Sequence, residues 1–192
     1  PGAGLMIPVL VVPLTLAKSA HVSASPEQQD SRWCLVHTGV QTALFWAFFL
    51  LIVPVLLKRA ESALGWSSPS FEASLFRTMG ICIFAAAGAV GLWSGWTLAV
   101  VGQGTPLPLD PARRLVIAGP YRFVRNPMAL TGVMQGVAVG LWLGSWLVVV
   151  YALSGALLWH VVVRPQEERE LIEQFGPAYE GYRSAVLCWL PR

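Results

Sequence analysis

The chain has 192 residues, of which 55% are hydrophobic and only 12% are charged. Soluble domains usually carry about a quarter charged residues, so this composition argues against a soluble protein and indicates a membrane protein. The formal net charge of +3 is too small to favour nucleic-acid binding. Cys34, Cys82 and Cys188 are far apart and odd in number, so neither a disulfide framework nor a metal site is expected.

Three long uncharged stretches follow one another along the chain, at residues 35–57, 78–101 and 128–163. The first two have the length of a membrane-spanning helix, which needs about 20 apolar residues. The third would form a helix about 54 Å long, well beyond the thickness of a hydrocarbon core of about 30 Å. We therefore expect it to fold as a hairpin of two short helices that turns near Gly144 and Ser145.

A shorter apolar segment at residues 5–17 is interrupted by two prolines. It fits either a signal peptide, because residues 17–20 resemble a cleavage region, or a first irregular membrane span. No basic residue precedes the apolar run, which favours the span. The sequence then predicts one compact all-α domain, a polytopic membrane bundle of about five transmembrane helices. Residues 1–101 would form the N-terminal membrane helices, and residues 102–192 a second region that consists of a loop, the helical hairpin and an amphipathic C-terminal cap.

Basic residues are distributed unequally between the two faces that these spans define. One face carries three of them, namely Lys58, Arg59 and Arg77. The other carries ten, namely Lys18, Arg32, Arg113, Arg114, Arg122, Arg125, Arg164, Arg169, Arg183 and Arg192. Cytoplasmic loops are enriched in Lys and Arg, so the second face is predicted to be cytoplasmic. It includes Asn126 and Glu167, because the two mouths of the hairpin return to the same side.

Two polar segments flank the hairpin. Residues 103–127 contain repeated glycines and prolines that break regular structure, so we expect an ordered loop. Beyond Arg164 lies a charged amphipathic segment with Leu171, Ile172 and Phe175 on one face, a pattern that fits an interfacial helix equally well. Backbone N–H groups at the start of a helix suit an anionic ligand group, and neighbouring glutamates suit a cationic one.

The polar segments carry a specific series of residues. Before the hairpin stands Gly119-Pro120-Tyr121-Arg122-Phe123-Val124-Arg125-Asn126-Pro127-Met128, and after it stand Glu167, Glu168, Leu171, Phe175, Gly176, Tyr179 and Tyr182. This series resembles the isoprenylcysteine carboxyl methyltransferase family, and the related phospholipid methyltransferases share its layout. The resemblance covers roughly residues 100–191. It implies a small helical membrane bundle that binds S-adenosylmethionine in a cytoplasmic-side cavity, capped by the C-terminal segment.

Position by position, the resemblance implies cofactor contacts along the loop and at both hairpin mouths. These contacts would come from Arg113, Arg114, Leu115, Val116, Tyr121, Asn126, Pro127, Met128, Ala129 and Glu167. The family's substrate-side arginine is best matched by Arg164. Members of the family usually have His in place of Asn126 and often Tyr in place of Ala129. Asparagine keeps a hydrogen-bond donor and an acceptor, so cofactor binding can survive the first change.

The identity of the methyl acceptor decides which residues act in catalysis. A carboxylate acceptor is already ionised, so Arg164 would only have to hold it by charge-assisted hydrogen bonds. An amine acceptor must lose a proton, and Glu168 would be the candidate base.

The leading interpretation is carboxyl methylation of an isoprenylcysteine-like acceptor by an integral membrane enzyme with its active site on the cytoplasmic face. Its partners would be a lipophilic or prenylated substrate and membrane lipids. A phospholipid or other small-molecule methyltransferase, an NADPH-dependent sterol-type reductase on the same fold and a non-catalytic membrane module remain alternatives.

Overall fold

The computed structural model of the protein describes residues 31–66, 74–105 and 112–191, all within one compact unit. Every regular element in these ranges is helical, which confirms the predicted all-α class. In chain order the elements are α1 (Ser31–Phe45), a π-helical segment (Trp46–Ile52), α2 (Val53–Ala63), α3 (Ser74–Thr97), a second π-helical segment (Leu98–Gly102), a 3-10 turn (Gly119–Arg122), α4 (Pro127–Leu143), α5 (Trp146–Leu158), a third π-helical segment (Trp159–Val163), α6 (Arg164–Phe175) and α7 (Pro177–Ala185).

Three continuous helices in the described ranges are long and apolar enough to cross a membrane: Trp33–Ala63, Ser74–Gly102 and Trp146–Phe175. The apolar helix α4 is shorter, with 17 residues. At 1.5 Å per residue it is about 26 Å long, less than the hydrocarbon core of about 30 Å. The predicted count of five transmembrane helices is therefore corrected to three long helices and one short apolar helix in the described residues. The predicted span at residues 5–17 lies outside them.

Two of the π-helical segments precede a proline in the middle of a long helix. Pro54 and Pro165 each lack an N–H group, and a proline ring inside an α-helix clashes with the carbonyl four residues earlier. Those carbonyls belong to Leu50 and Val161, which both lie in the wider π-helical turns. The helix that starts at Trp146 therefore continues through Pro165. This makes the second arm of the hairpin longer than predicted.

The hairpin turns at the predicted place because two adjacent residues end one helix and begin the next. Gly144 ends α4 in the left-handed conformation, with a φ of 59°, and the Ser145 side chain accepts a hydrogen bond from the backbone N–H of Val148. Helices α3 and α4 approach closely beside this turn. A Cβ atom on Gly80 would lie only 2.6 Å from the carbonyl oxygen of Ala138, so a larger residue could not occupy this position.

The first long helix is attached to the hairpin turn by polar contacts. Glu61, at the end of α2, is buried with 2% of its surface exposed. The hydroxyl of Ser145 donates a hydrogen bond to its carboxylate. Lys58 Nζ donates to the carbonyl oxygen of Gly144 at 3.0 Å. A buried carboxylate needs such a donor, so these contacts fix the register between the first long helix and the hairpin.

We expect Ser145→Ala to destabilise the protein, because the change removes the cap of α5 and the donor to Glu61 together. Losing an N-cap costs about 0.5–2 kcal/mol, and a buried acceptor without its donor costs about 1–3 kcal/mol more. Thermal unfolding of the purified protein in detergent measures the effect. The matched control is Ser154→Ala, since Ser154 is exposed in the same helix and bonds only the Tyr151 carbonyl. Equal melting temperatures for the two variants would contradict the role of Ser145.

Candidate active site

The described part of the loop that precedes the hairpin, residues 112–126, lies at the opposite end of the bundle from the turn. The backbone N–H groups of Arg113 and Arg114 donate to the carbonyl oxygen of Gly102 at 2.8 and 3.2 Å, which fixes the loop on the end of the second long helix. A Cβ atom on Gly102 would lie 2.7 Å from Cγ2 of the buried Val116. The loop backbone is therefore packed directly on this helix, whereas the Arg113 and Arg114 side chains are exposed.

Helices α6 and α7 pack on the other side of the loop. The buried members of this contact are Tyr179, Tyr182 and Val186, and the partly buried ones are Leu115, Leu171, Ile172 and Phe175. The apolar face of the amphipathic segment is therefore covered by protein, which the sequence pattern left open. The Tyr182 hydroxyl donates to the Tyr121 carbonyl oxygen at 2.7 Å.

The surroundings of two tyrosines near this contact disfavour the charged form of the phenol. Burial raises the pKa of Tyr121 far above its ordinary value, and the nearby Tyr182 and Glu167 raise it further. Burial raises the pKa of Tyr182 in the same way, with a further contribution from Tyr179. At any physiological pH these phenols thus remain uncharged and present aromatic, hydrogen-bonding surfaces.

Asn126 connects the two mouths of the hairpin. Its side-chain Oδ1 accepts a hydrogen bond from the backbone N–H of Ala129 at 3.0 Å and so caps α4, with Pro127 in the first turn. Its Nδ2 donates to Oε2 of Glu167 at 3.2 Å. The amide orientation follows from these contacts, because the backbone N–H requires an acceptor. Asn126 thus caps the first arm of the hairpin and orients the Glu167 carboxylate on the second arm. The two ends of the hairpin therefore lie next to each other, as predicted.

The two adjacent glutamates of α6 have different surroundings. Glu168 is buried, and its carboxylate oxygens lie 2.8 Å from Arg125 Nη1, 3.5 Å from Arg164 Nε and 3.4 Å from Arg183 Nη2. Glu167 is partly buried and accepts hydrogen bonds from Asn126 and from Trp159. Within the described ranges, no basic side chain forms a salt bridge with Glu167. The site thus contains one neutralised carboxylate and one carboxylate held only by uncharged donors.

The C-terminal residues cover the exit of the second arm. Trp189 Nε1 donates to Nδ1 of His160 at 2.8 Å, and the Trp189 ring packs edge-on against Trp159 with centroids 5.2 Å apart. Arg164 Nη1 lies 3.2 Å from the same His160 nitrogen. Arg164 is therefore in contact with both a carboxylate and an imidazole. Trp189 belongs to this cluster although nothing in the sequence pattern singled it out.

The structure brings some of the predicted site residues together and leaves others apart. Tyr121, Asn126 and Glu167 are neighbours, and Arg164 contacts Glu168. Pro127 is buried, and Met128, Ala129 and Leu115 are partly buried in the helix start and loop. Four residues of the cluster were not predicted from the sequence as site residues, namely Arg125, Trp159, Arg183 and Trp189. The only available signal was the position of Arg125 in the basic cluster before Asn126.

A comparison with protein families agrees with this arrangement. The family model described as phospholipid methyltransferase matches residues 75–178, which is more than half of the chain and includes the loop, the hairpin and α6. The fold, the site and this match define a multi-pass integral membrane methyltransferase that uses S-adenosylmethionine. The chain belongs to the phospholipid methyltransferase family. A search of curated proteins found no match. Family membership sets aside the reductase and the non-catalytic module.

The residues at the hairpin mouths fit the charged groups of S-adenosylmethionine, which carries an ammonium, a sulfonium and a carboxylate. Glu167 offers a carboxylate without a basic partner in the described ranges, which suits a cationic group. Arg125 Nε is buried and has no hydrogen-bond partner among the described residues, so it can serve an anionic group. Tyr121 adds a neutral aromatic side chain beside Glu167 that can face a cation.

We expect Glu168→Gln to destabilise the fold, because the arginines around it would lose their shared counter-charge. A hydrogen bond to a buried charge contributes about 1.5–3 kcal/mol, so the melting temperature in detergent should fall by several degrees. Glu167→Gln should leave the melting temperature nearly unchanged, since no described salt bridge depends on it. Glu173→Gln, at an exposed position of the same helix, controls for the loss of charge. The ion-pair cluster would have no structural role if all three variants melted together.

Proposed function

We propose that the protein transfers a methyl group from S-adenosylmethionine to the amino headgroup of a membrane phospholipid. The observation that carries this proposal is the junction of Asn126 and Glu167, which joins both ends of the hairpin inside the family-matched segment. The family favours an amine acceptor over a carboxylate acceptor. So do the contacts of Arg164 with Glu168 and His160, because they would compete with an acceptor carboxylate. We place the site on the cytoplasmic face because the sequence predicts ten of the thirteen basic residues on that side.

Glu167 is assigned to the cationic end of the cofactor. When bound, S-adenosylmethionine supplies an electrophilic methyl group attached to a sulfonium centre. The chain's own part is to hold Glu167 in place through the amide of Asn126 and the indole of Trp159. Both donors are neutral, so no basic side chain of the described residues competes with a cationic ligand group for this carboxylate. Arg125 and the loop beside Tyr121 serve the anionic and aromatic parts of the same ligand.

Glu168 is assigned a positioning role instead of the role of a base. Its carboxylate oxygens are already occupied by contacts with three arginines, which would compete with an acceptor amine. It holds the loop through Arg125, its own helix through Arg164 and α7 through Arg183. Because Arg183 has 45% of its side chain exposed, it is also available to a lipid phosphate at the membrane surface.

Carboxyl methylation of an isoprenylcysteine-like acceptor is the second candidate. The observation that favours it is the placement of Arg164 at the exit of the hairpin, with 25% of its side chain exposed beside Glu168 and His160. An arginine in this position could hold an acceptor carboxylate in a bidentate manner. Its existing contacts with Glu168 and His160 weigh against this use, because both would compete with the acceptor.

We expect Glu167→Gln to weaken S-adenosylmethionine binding at least tenfold, whereas Glu168→Gln should have a much smaller effect. The basis is that a charge-assisted hydrogen bond contributes about 1.5–3 kcal/mol, of which the neutral amide loses most. Isothermal titration of each purified variant with the cofactor measures the two affinities. Glu170→Gln serves as the charge control, since Glu170 is exposed on the same helix. Equal losses for Glu167→Gln and Glu168→Gln would refute the assignment of Glu167.

The acceptor class can be decided by measuring turnover on lipid amines and lipid carboxylates across pH. With an amine acceptor, the rate should rise with pH as the reacting amine loses its proton, and Arg164→Lys should be mild. With a carboxylate acceptor, Arg164→Lys should lower turnover by about 10²-fold while cofactor affinity stays near wild type, because lysine loses the planar bidentate geometry. Turnover on carboxylates alone, with the large Arg164→Lys defect, would replace our proposal by the second candidate.

A further inference from the structure

An apolar cavity of about 510 Å³ lies at the end of the bundle that carries the hairpin turn. Its walls come from the first long helix, α3 and α4, and include Trp46, Leu50, Gly80, Phe84, Ala138 and Trp142. None of the candidate active-site residues lines it. Several lining side chains, among them Leu51, Ile81 and Trp142, are largely exposed, so the cavity is a groove on the outer surface of the helices.

The groove ends at a basic residue. A smaller cavity of about 230 Å³ is lined by Arg77, Trp142 and Leu143. Trp142 lines both cavities, so the two adjoin at this side chain. Arg77 is exposed in the first turn of α3, and in the described part of the chain no carboxylate forms a salt bridge with it. An apolar groove and a guanidinium group therefore lie next to each other, with an indole between them.

The position of the groove relative to the catalytic residues separates the two sites. Pro127 and Trp142 mark the two ends of α4, and fifteen residues of α-helix correspond to about 22 Å. A headgroup at Arg77 is therefore near the opposite membrane surface from Glu167. Tryptophan is enriched at the membrane–water interface, which agrees with Trp142 and Trp146 flanking the turn.

We propose that the groove and Arg77 form a binding site for one anionic phospholipid. One acyl chain would lie in the groove, and the phosphate would contact the guanidinium group of Arg77. The occupant follows from the surroundings: the groove faces the apolar interior of a bilayer, and an arginine matches a phosphate in charge and in hydrogen-bond geometry. A zwitterionic lipid offers the same phosphate together with a competing positive charge, so the anionic class is preferred.

Arg77 provides the selectivity for an anionic headgroup, and the groove accommodates the acyl chain. A lipid tail that leaves the bilayer for an apolar groove exchanges one hydrocarbon contact for another, so no hydrophobic driving force is gained. What remains is van der Waals packing along the groove and the contact with the phosphate. An exposed ion pair contributes up to about 1 kcal/mol, which corresponds to about fivefold in affinity.

Lipid retention by the full-length protein tests this site. Native mass spectrometry of detergent-purified protein, titrated with phosphatidylglycerol or phosphatidylcholine, counts the lipids bound per chain. We expect one phosphatidylglycerol to bind with about fivefold preference. Arg77→Gln should abolish the preference, and Ala85→Phe, which fills the groove, should weaken retention of both lipids. Melting temperatures without added lipid show that each variant is folded.

Two matched variants make the result specific. Arg59→Gln removes an exposed basic residue near the same end of the bundle, and Ala86→Phe adds the same bulk at an exposed position that does not line the groove. Both should behave like wild type. Equal retention of the two lipids by wild type would overturn the proposal, as would a loss of preference in Arg59→Gln as large as in Arg77→Gln. A dimer that Ala85→Phe dissociates without changing lipid retention would assign the groove to a second copy of the chain instead.

Discussion

The carboxylate of Glu168 joins the three parts of the chain that form the site. Arg125 comes from the loop, Arg164 from the same helix and Arg183 from α7, and all three lie within 3.5 Å of its oxygens. A buried ion pair of this kind adds little to stability compared with well-packed apolar residues, because both partners lose their hydration. Its effect is geometric, because the loop, α6 and α7 must take one relative arrangement for all three arginines to pair with Glu168.

This arrangement gives adjacent residues different roles. Glu168 forms salt bridges with three arginines, whereas Glu167 contacts only the neutral donors of Asn126 and Trp159 among the described residues. In the proposed site, such a carboxylate can pair with a cationic ligand group without displacing a basic side chain of the described residues. Because Asn126 also caps α4, the helix start and the orientation of Glu167 depend on the same side chain. An asparagine at this position performs both tasks without titrating near neutral pH.

The two ends of the bundle are built differently. At one end a loop, two short helices and several arginines enclose a polar site. At the other end the buried Glu61 and Ser145 fix the hairpin turn, and an apolar groove remains open between the helices. The helices between them are continuous, since the π-helical turns before Pro54 and Pro165 accommodate both prolines. The chemistry and the proposed lipid contact are therefore separated by the length of α4.

The sequence by itself determined the all-α class, the uncharged helices and the turn at Gly144, because helical periodicity, uncharged length and turn residues act locally. The candidate glutamates came from the resemblance of the sequence to a known family. The sequence misjudged the number of membrane helices, since α4 is shorter than a full span. Only the tertiary structure decided which of two neighbouring glutamates is neutralised. Residues adjacent in a helix point about 100° apart, so their partners depend on packing. The contact of Trp189 with His160 and the groove beside Arg77 likewise arise from residues far apart in the chain, which no local pattern reveals.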